Sequence, residues 1–375
     1  GFSTFVAAAR SSYFAGLAFS VIPRATRIQE RQQESGDNKR WATSKCTTHG
    51  ALEARSVPVP ARPSALALSG GEKTWEGLLA IAVERDVKLV RRFDLKSCGT
   101  LTMRDRREAA MMVFSPDNRT LAIVPESSSE VHFYNTETKA APLITAFASP
   151  DCINGLDFLR GSYPSPADAA ISTCDVNLFQ ICGETGEIVS KWEDSGCRLA
   201  NCKALSPHEV VTVSDAARLW DVRTSEGIVQ KFVSESQVIS VGIGSLMPDG
   251  ASLPSTFVGD ADGNLHRVDW RTGSLEMLWR SPECMQGPAH VLLVEQGCVG
   301  LFSKTALTMV AVHPEVALLD SFDITGRISA CVSGFGVWAI STHTHTQGRS
   351  CKSVVSLVEA VVTGRRPSPK AETDT

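Results

Sequence analysis

Several kinds of segment are missing from this chain of 375 residues. No run approaches the roughly 20 consecutive apolar residues that a membrane-spanning helix needs, so no helical span is expected. There is no Gly-rich phosphate loop, no GxSxG elbow and no HExxH helix, which removes the usual nucleotide, serine-hydrolase and zinc-protease sites. The eleven cysteines are odd in number and include no CxxC pair. A net charge of −4 is too mild to mark a nucleic-acid or membrane surface.

What cysteine there is sits mostly in apolar runs, as at Cys182, Cys298 and Cys331. That usage suits small buried hydrophobes in a reducing compartment, hence a cytoplasmic or nuclear protein. Cys197 and Cys202 are the closest pair, and without a nearby histidine they make a poor metal site. No metal and no cofactor are expected.

The two ends differ from the middle. Up to Glu30 there is no acidic residue, while Arg10, Arg24 and Arg27 alternate with Ser3, Ser11, Ser12 and Ser20. Residues 1–55 therefore read either as a disordered leader and linker or as an organelle-import segment, with the Phe14 to Ile22 patch a marginal secretory core. Residues 364–375, which begin Gly364-Arg365-Arg366-Pro367, read as a disordered tail.

Between these ends, apolar strand endings recur at a spacing of roughly 40 to 48 residues. They are Phe93-Asp94, Tyr134-Asn135, Ile181-Cys182, Trp220-Asp221, Val268-Asp269, Val312-His313 and Val358-Glu359. A period of this length is that of a four-stranded antiparallel blade, and seven of them predict an all-β propeller over residues 56–363. In the fifth unit the strands are Gln237 to Ile243, Ser255 to Val258, Leu265 to Asp269 and Leu275 to Trp279. Met247 to Gly250 is its first turn, and Asp262-Gly263 reads as a two-residue hairpin with positive φ. The second unit repeats the plan, with Ala110 to Phe114, the turn Ser115-Pro116-Asp117-Asn118, Leu121 to Val124 and Val131 to Tyr134, and Ser206-Pro207 takes the same turn in the fourth unit.

Arg218-Leu219-Trp220-Asp221 and Asp262-Gly263-Asn264-Leu265-His266-Arg267-Val268-Asp269 resemble the repeats of the WD-repeat family. The resemblance implies a buried network joining a histidine, a Ser or Thr, the hairpin Asp and the Trp that ends the third strand. Departures are plain: no Gly-His dipeptide occurs, Val268 replaces the Trp, and Asp215 is one residue too close to Trp220. Those networks are expected to be missing in most blades, with β-branched packing in their place. Ring closure needs one strand from the other terminus, supplied by Ser56 to Pro60 or, better because it lacks proline, by Ser64 to Leu68.

Candidate chemistry is sparse. His343-Thr344-His345 lies in the polar stretch Ser341 to Ser350 and reads as a long solvated hairpin loop rather than a metal site. Asp260, Asp262 and Asp269 are better explained by turns and a strand end than by calcium. Met111, Met112 and the tryptophans at 192, 220, 279 and 338 read as core.

These readings give a non-enzymatic scaffold that binds other proteins through loops on one face of the propeller. Its candidate binding residues are Arg223, Trp270 and Arg271, just past third strands where side chains reach solvent. The alternative comes from resemblance: Trp220-Asp221-Val222-Arg223 is similar to the WDxR element that propeller substrate receptors present to the adaptor of cullin-type ubiquitin ligases, with Arg223 as the contact.

Overall fold

Among the described residues, runs of β-branched and aliphatic residues bounded by turn formers build 28 strands, and their order along the chain already shows the plan. β1 (Ala54–Val59) comes first and stands apart from the strands next to it in the chain. The first sheet is β2 (Pro63–Leu68), β3 (Leu78–Val83), β4 (Asp86–Arg91) and β5 (Ser97–Thr102). The second is β6 (Ala109–Phe114), β7 (Thr120–Pro125), β8 (Glu130–Asn135) and β9 (Leu143–Ala148). The third is β10 (Ile153–Phe158), β11 (Ala169–Cys174), β12 (Asn177–Cys182) and β13 (Ile188–Glu193). The fourth is β14 (Asn201–Ala204), β15 (Glu209–Val213), β16 (Ala216–Asp221) and β17 (Ile228–Val233). The fifth is β18 (Val238–Gly244), β19 (Ser255–Asp260), β20 (Leu265–Asp269) and β21 (Ser274–Trp279). The sixth is β22 (Val291–Glu295), β23 (Cys298–Phe302), β24 (Ala306–Ala311) and β25 (Ala317–Asp323). The seventh is β26 (Arg327–Gly334), β27 (Val337–Thr346) and β28 (Arg349–Glu359), completed by β1.

This is a computed structural model, and it describes residues 54–359 apart from 71–76, 106, 139–140, 160–168, 195–196, 234–235, 245–254, 281–290, 296–297, 303–305, 313–315, 324–326, 335–336 and 347–348. The leader, the tail, the Met247 to Gly250 turn and His313 lie outside the described residues.

Each of the seven described sheets is four-stranded and antiparallel, six of them meanders of consecutive strands and the seventh three consecutive strands with β1 added. Their first strands meet in succession, β2 with β6, β6 with β10, and so on to β22 with β26, and β26 meets β2. The core therefore sits between sheets. Leu89 and Leu101 of the first sheet pack with Leu121 and Ile123 of the second, and Phe133 packs with Phe158 and Phe179 across the next seam. A middle strand with a neighbouring sheet on each face must be apolar throughout, which is why β7 reads Thr-Leu-Ala-Ile-Val-Pro and is buried at every position. Outer strands keep one solvated face, and β17 alternates half-buried and exposed residues along its length.

Third strands end at the periodic positions in five sheets, at Asn135, Cys182, Asp221, Asp269 and Glu359. β4 and β24 stop earlier, at Arg91 and Ala311. In the first sheet the apolar residue that mimics a strand end has passed into the turn: Leu95, at φ 56°, donates its N–H to the Arg91 carbonyl oxygen, and Phe93 is 62% exposed.

Three further expectations change. The strand that completes the seventh sheet is β1, paired with β28 from Ala54↔Val358 to Val59↔Ser353, whereas Ser64 to Leu68 belongs to β2. Pro58 is tolerated because β1 is an edge strand whose outer side needs no donor. The stretch Ser341 to Ser350 is no long loop, since β27 continues to Thr346 and β28 begins at Arg349, placing His343 opposite Ser353. The fifth-unit hairpin is a three-residue loop, Ala261-Asp262-Gly263, in which only Gly263 has positive φ, at 86°. Its anchor is Asp260, whose carboxylate accepts the N–H groups of Asp262 and Asn264, the Asn264 side-chain amide and a hydrogen bond from His266 Nε2 at 2.9 Å.

Candidate functional site

In a four-stranded meander the turns joining strands one to two and three to four share an end. Main-chain bonds fasten them together: Val222 N–H donates to the His208 carbonyl oxygen, and Thr136 N–H to that of Arg119. The WDxR turn of the fourth sheet, between β16 and β17, lies at this end. Trp220 is fully buried, with its indole N–H donating to Thr212 Oγ1 at 2.8 Å. Asp221 turns outward, and its carboxylate receives the Arg223 main-chain N–H at 2.9 Å and both edges of the Arg223 guanidinium, at 3.0 and 2.7 Å. These bonds hold the Asp221 carboxyl down to about 2. Arg223 thus stands exposed in one geometry, with its cation shared with Asp221.

A second set of contacts fixes the same turn from the neighbouring sheet. Trp192 of β13 donates its indole N–H to the Thr224 carbonyl oxygen at 2.8 Å. Gly227, at φ +73°, lies so close that an added Cβ would fall 2.6 Å from Trp192 Cδ1. No larger residue fits without moving the indole.

The echo turn of the fifth sheet is built differently. Asp269 accepts the N–H groups of Arg271 and Thr272, and the exposed Arg271 guanidinium makes none of the ion pairs seen among the described residues. Trp270 is half-buried: its ring lies 5.0 Å from that of Phe232 on β17, and its N–H donates to Thr256 Oγ1 at 2.8 Å. In place of the missing Trp at 268, Trp270 reaches back from one residue past the strand. A Trp–Thr hydrogen bond thus occurs in both the fourth and the fifth sheet, and Trp270 has a structural bond as well as a partly open face.

The residues that sequence reading missed form a cluster around the buried Arg218 at the opposite end of the same sheets, with Asp215 exposed. Arg218, fully buried on β16, pairs through Nε with Asp194 of the third sheet's exit, and its other nitrogens reach Asp215 Oδ1 at 2.7 Å, Ser214 Oγ at 3.0 Å and the Ala216 carbonyl oxygen at 3.2 Å. Cys197 Sγ donates to Asp215 Oδ1 at 2.8 Å. Burial works against the charge on Asp215, but the bonds from Cys197, Arg218 and Ser214 outweigh it and hold that carboxyl well below the usual range. Burial likewise pulls Arg218 down, and the Asp215 bond with the charges of Asp194 and Asp215 raises it instead. The signal was present in the sequence: a charged residue inside the apolar run Ala216 to Trp220, three residues after an aspartate.

The eight cysteines whose side chains are described are free thiols, and burial pushes Cys202 up to about 12. Among the described residues no three of His, Cys, Asp and Glu converge as metal ligands would. The side chains of His343 and His345 lie outside the described residues.

No protein-family profile and no curated protein sequence matches the chain. Its shape is widely shared: 1177 solved chains match it, so the likeness identifies an architecture rather than an activity. The structure of U3-55K superposes with a TM-score of 0.62 at 13% identity, over 82% of this chain and 98% of that one. A chain of a mitotic checkpoint complex gives a TM-score of 0.61 at 12% identity, over 87% of this chain and 96% of that one. Both neighbours are WD40 proteins, and this chain shares their all-β, propeller-like fold of four-stranded antiparallel sheets.

Proposed function

We propose that the seven sheets are the blades of one closed WD-repeat propeller, and that it serves as a non-enzymatic platform on which other proteins assemble. The succession of first-strand contacts, with β26 returning to β2, and the pairing of β1 with β28 support closure. The observation that carries the functional reading is the rigid WDxR turn. Arg223 is exposed yet held by Asp221, and the turn beneath it is fastened by Trp192 and Gly227, so a partner would meet an already ordered surface. Arg271, exposed on the next sheet beside Asp269, adds a cation at the same end, and the partly open face of Trp270 adds aromatic area there.

That one fold neighbour was solved within a complex is consistent with this reading. The test is affinity capture from cells that express the protein, followed by mass spectrometry, with the wild-type chain beside an Arg223→Ala/Arg271→Ala double variant. The proposal expects a defined set of proteins on the wild-type bait, depleted on the variant. Equal recovery on both baits would reject this face as the binding surface, and recovery no greater than on empty resin would reject the platform itself.

A further inference from the structure

The rim strand β13, at the outer edge of the third sheet, combines exposed aliphatic side chains with an open edge. Among the described residues it pairs with β12 alone, so its other side is an open edge. Glu187 and Asp194 bond main chain to main chain with Cys182 and Val176 across β12. By the alternation of an antiparallel pair, Lys191 and Glu193 direct their N–H and C=O groups away from the sheet. A bulge sets both Ile188 and Val189 opposite Ile181, leaving them 51% and 57% exposed, and Ile144 of the adjacent outer strand β9 is 41% exposed. The two edges are tied: Thr145 Oγ1 donates to the Thr185 carbonyl oxygen at 3.0 Å, and an added Cβ on Gly186 would meet the Ala146 carbonyl oxygen at 2.8 Å.

The charge around this edge is one-sided. Glu184, Glu187 and Glu193 are exposed, and among the described residues none has a cation in an ion pair. The single cation of the strand, Lys191, is placed over the Phe179 ring, 5.9 Å from its centroid. By contrast, the edge of β1 carries Pro58, which blocks strand addition, and the corresponding positions of β5 are Ser97, Cys98 and Gly99.

We propose that β13 is a second, rim-side docking site, which takes an extended segment of a partner protein as an added antiparallel strand. The segment it fits has aliphatic β-branched residues at alternate positions and is flanked by Lys or Arg. Main-chain bonds to the open edge supply affinity, Ile188, Val189 and Ile144 receive the aliphatic side chains, and the three glutamates select the basic flanks. The open edge of β13 is distinct from the exposed Arg223 side chain, although Trp192 of the same strand contacts the WDxR turn, and the peptide test below reads the edge without Arg223.

The test uses the full chain and a synthetic peptide, Arg-Lys-Val-Thr-Val-Thr-Val-Lys-Arg, labelled for fluorescence anisotropy. Saturable binding is expected, weakened about tenfold or more by Glu184→Gln/Glu187→Gln/Glu193→Gln, as loss of three complementary charges implies. A peptide of the same sequence with alternate amides N-methylated should not bind, and hydrogen exchange at the amides of Lys191 and Glu193 should slow when the unmodified peptide is added. All three substitutions are at exposed positions and are expected to leave the melting temperature unchanged. Absence of saturable binding, equal binding of the N-methylated peptide, or equal binding to the glutamine variant would overturn the proposal, whatever affinity capture shows for Arg223.

Discussion

Trp192 on the outer strand of the third sheet donates its indole N–H to the carbonyl oxygen of Thr224 in the WDxR turn of the fourth, 2.8 Å away. One sheet thus fixes the presenting turn of the next, and the rings of Phe232 and Trp270, 5.0 Å apart, do the same across the following seam.

Replacing that bond while keeping the ring tests its worth. Trp192→Phe preserves most of the packing and removes one hydrogen bond, so a loss of about 1 kcal/mol in urea unfolding is expected. Gly227→Ala should cost more, about 1 to 3 kcal/mol, because it combines positive φ with a steric clash against the indole. Equal stability of Gly227→Ala and wild type would contradict the close approach of this turn to the indole.

Arg223→Ala should change stability by no more than about 0.5 kcal/mol, since the side chain is exposed. Trp220→Ala, at a fully buried position, should cost about 3 to 5 kcal/mol. The same Arg223 variant separates the two functional readings. If the turn serves a cullin-ligase adaptor, wild type retains the adaptor in a pull-down and the variant loses it with its melting temperature intact; a wild type that never retains it leaves the element as blade structure.

Arg218 offers a sharper contrast. Asp194→Ala leaves the buried Arg218 with Asp215 as its one remaining carboxylate and removes a charged hydrogen bond, so it should lose about 1.5 to 3 kcal/mol, whereas exchanging the whole cluster for apolar residues of similar volume should cost less. Chemical denaturation of Asp194→Ala beside Asp194→Leu/Asp215→Leu/Arg218→Met measures both. Equal losses in the two would mean that the charges are not coupled.

Acid should weaken the fourth and fifth sheets first. Burial opposes the charge on Asp260, yet bonds from His266 and Asn264 prevail and keep its carboxyl below the ordinary value; Asp215 is held low as well. A carboxyl depressed on folding stabilises the native state above its unfolded pKa of about 3.9, and that contribution fades as pH falls toward the folded value. Melting temperature should therefore drop below about pH 4, less steeply in Asp260→Asn. An identical acid slope in that variant would rule Asp260 out as a contributor.

The alternation of Leu265 to Asp269, the turn Ser115 to Asn118 and the buried place of Trp220 were legible because short-range pattern decides them. Choices that depend on distant partners were not. Asp262 looked like the hairpin residue by adjacency to Gly263, but the hydrogen-bond geometry of a three-residue loop selects Asp260. The role of Arg218 was missed because nothing local reveals Asp194, which comes from the neighbouring sheet's exit. Trp270 read as solvent-reaching until Phe232 and Thr256 were beside it. Proline counted against residues 56–60 as a strand, whereas an edge position removes the objection.

The proposed closure of the ring rests on β1, whose pairing with β28 includes a 3.0 Å contact between the Ser56 and Ser356 hydroxyls. The direct measurement compares thermal unfolding of a chain lacking residues 1–53 with one lacking residues 1–60. The shorter deletion keeps all of β1 and should unfold in one cooperative step at the full-length temperature, whereas the longer one exposes the edge of β28 and should melt several degrees lower, with broadened cooperativity. If the chain lacking residues 1–60 melts at the same temperature and as sharply as the chain lacking 1–53, pairing of β1 with β28 does not close the structure, and the closed-platform account fails.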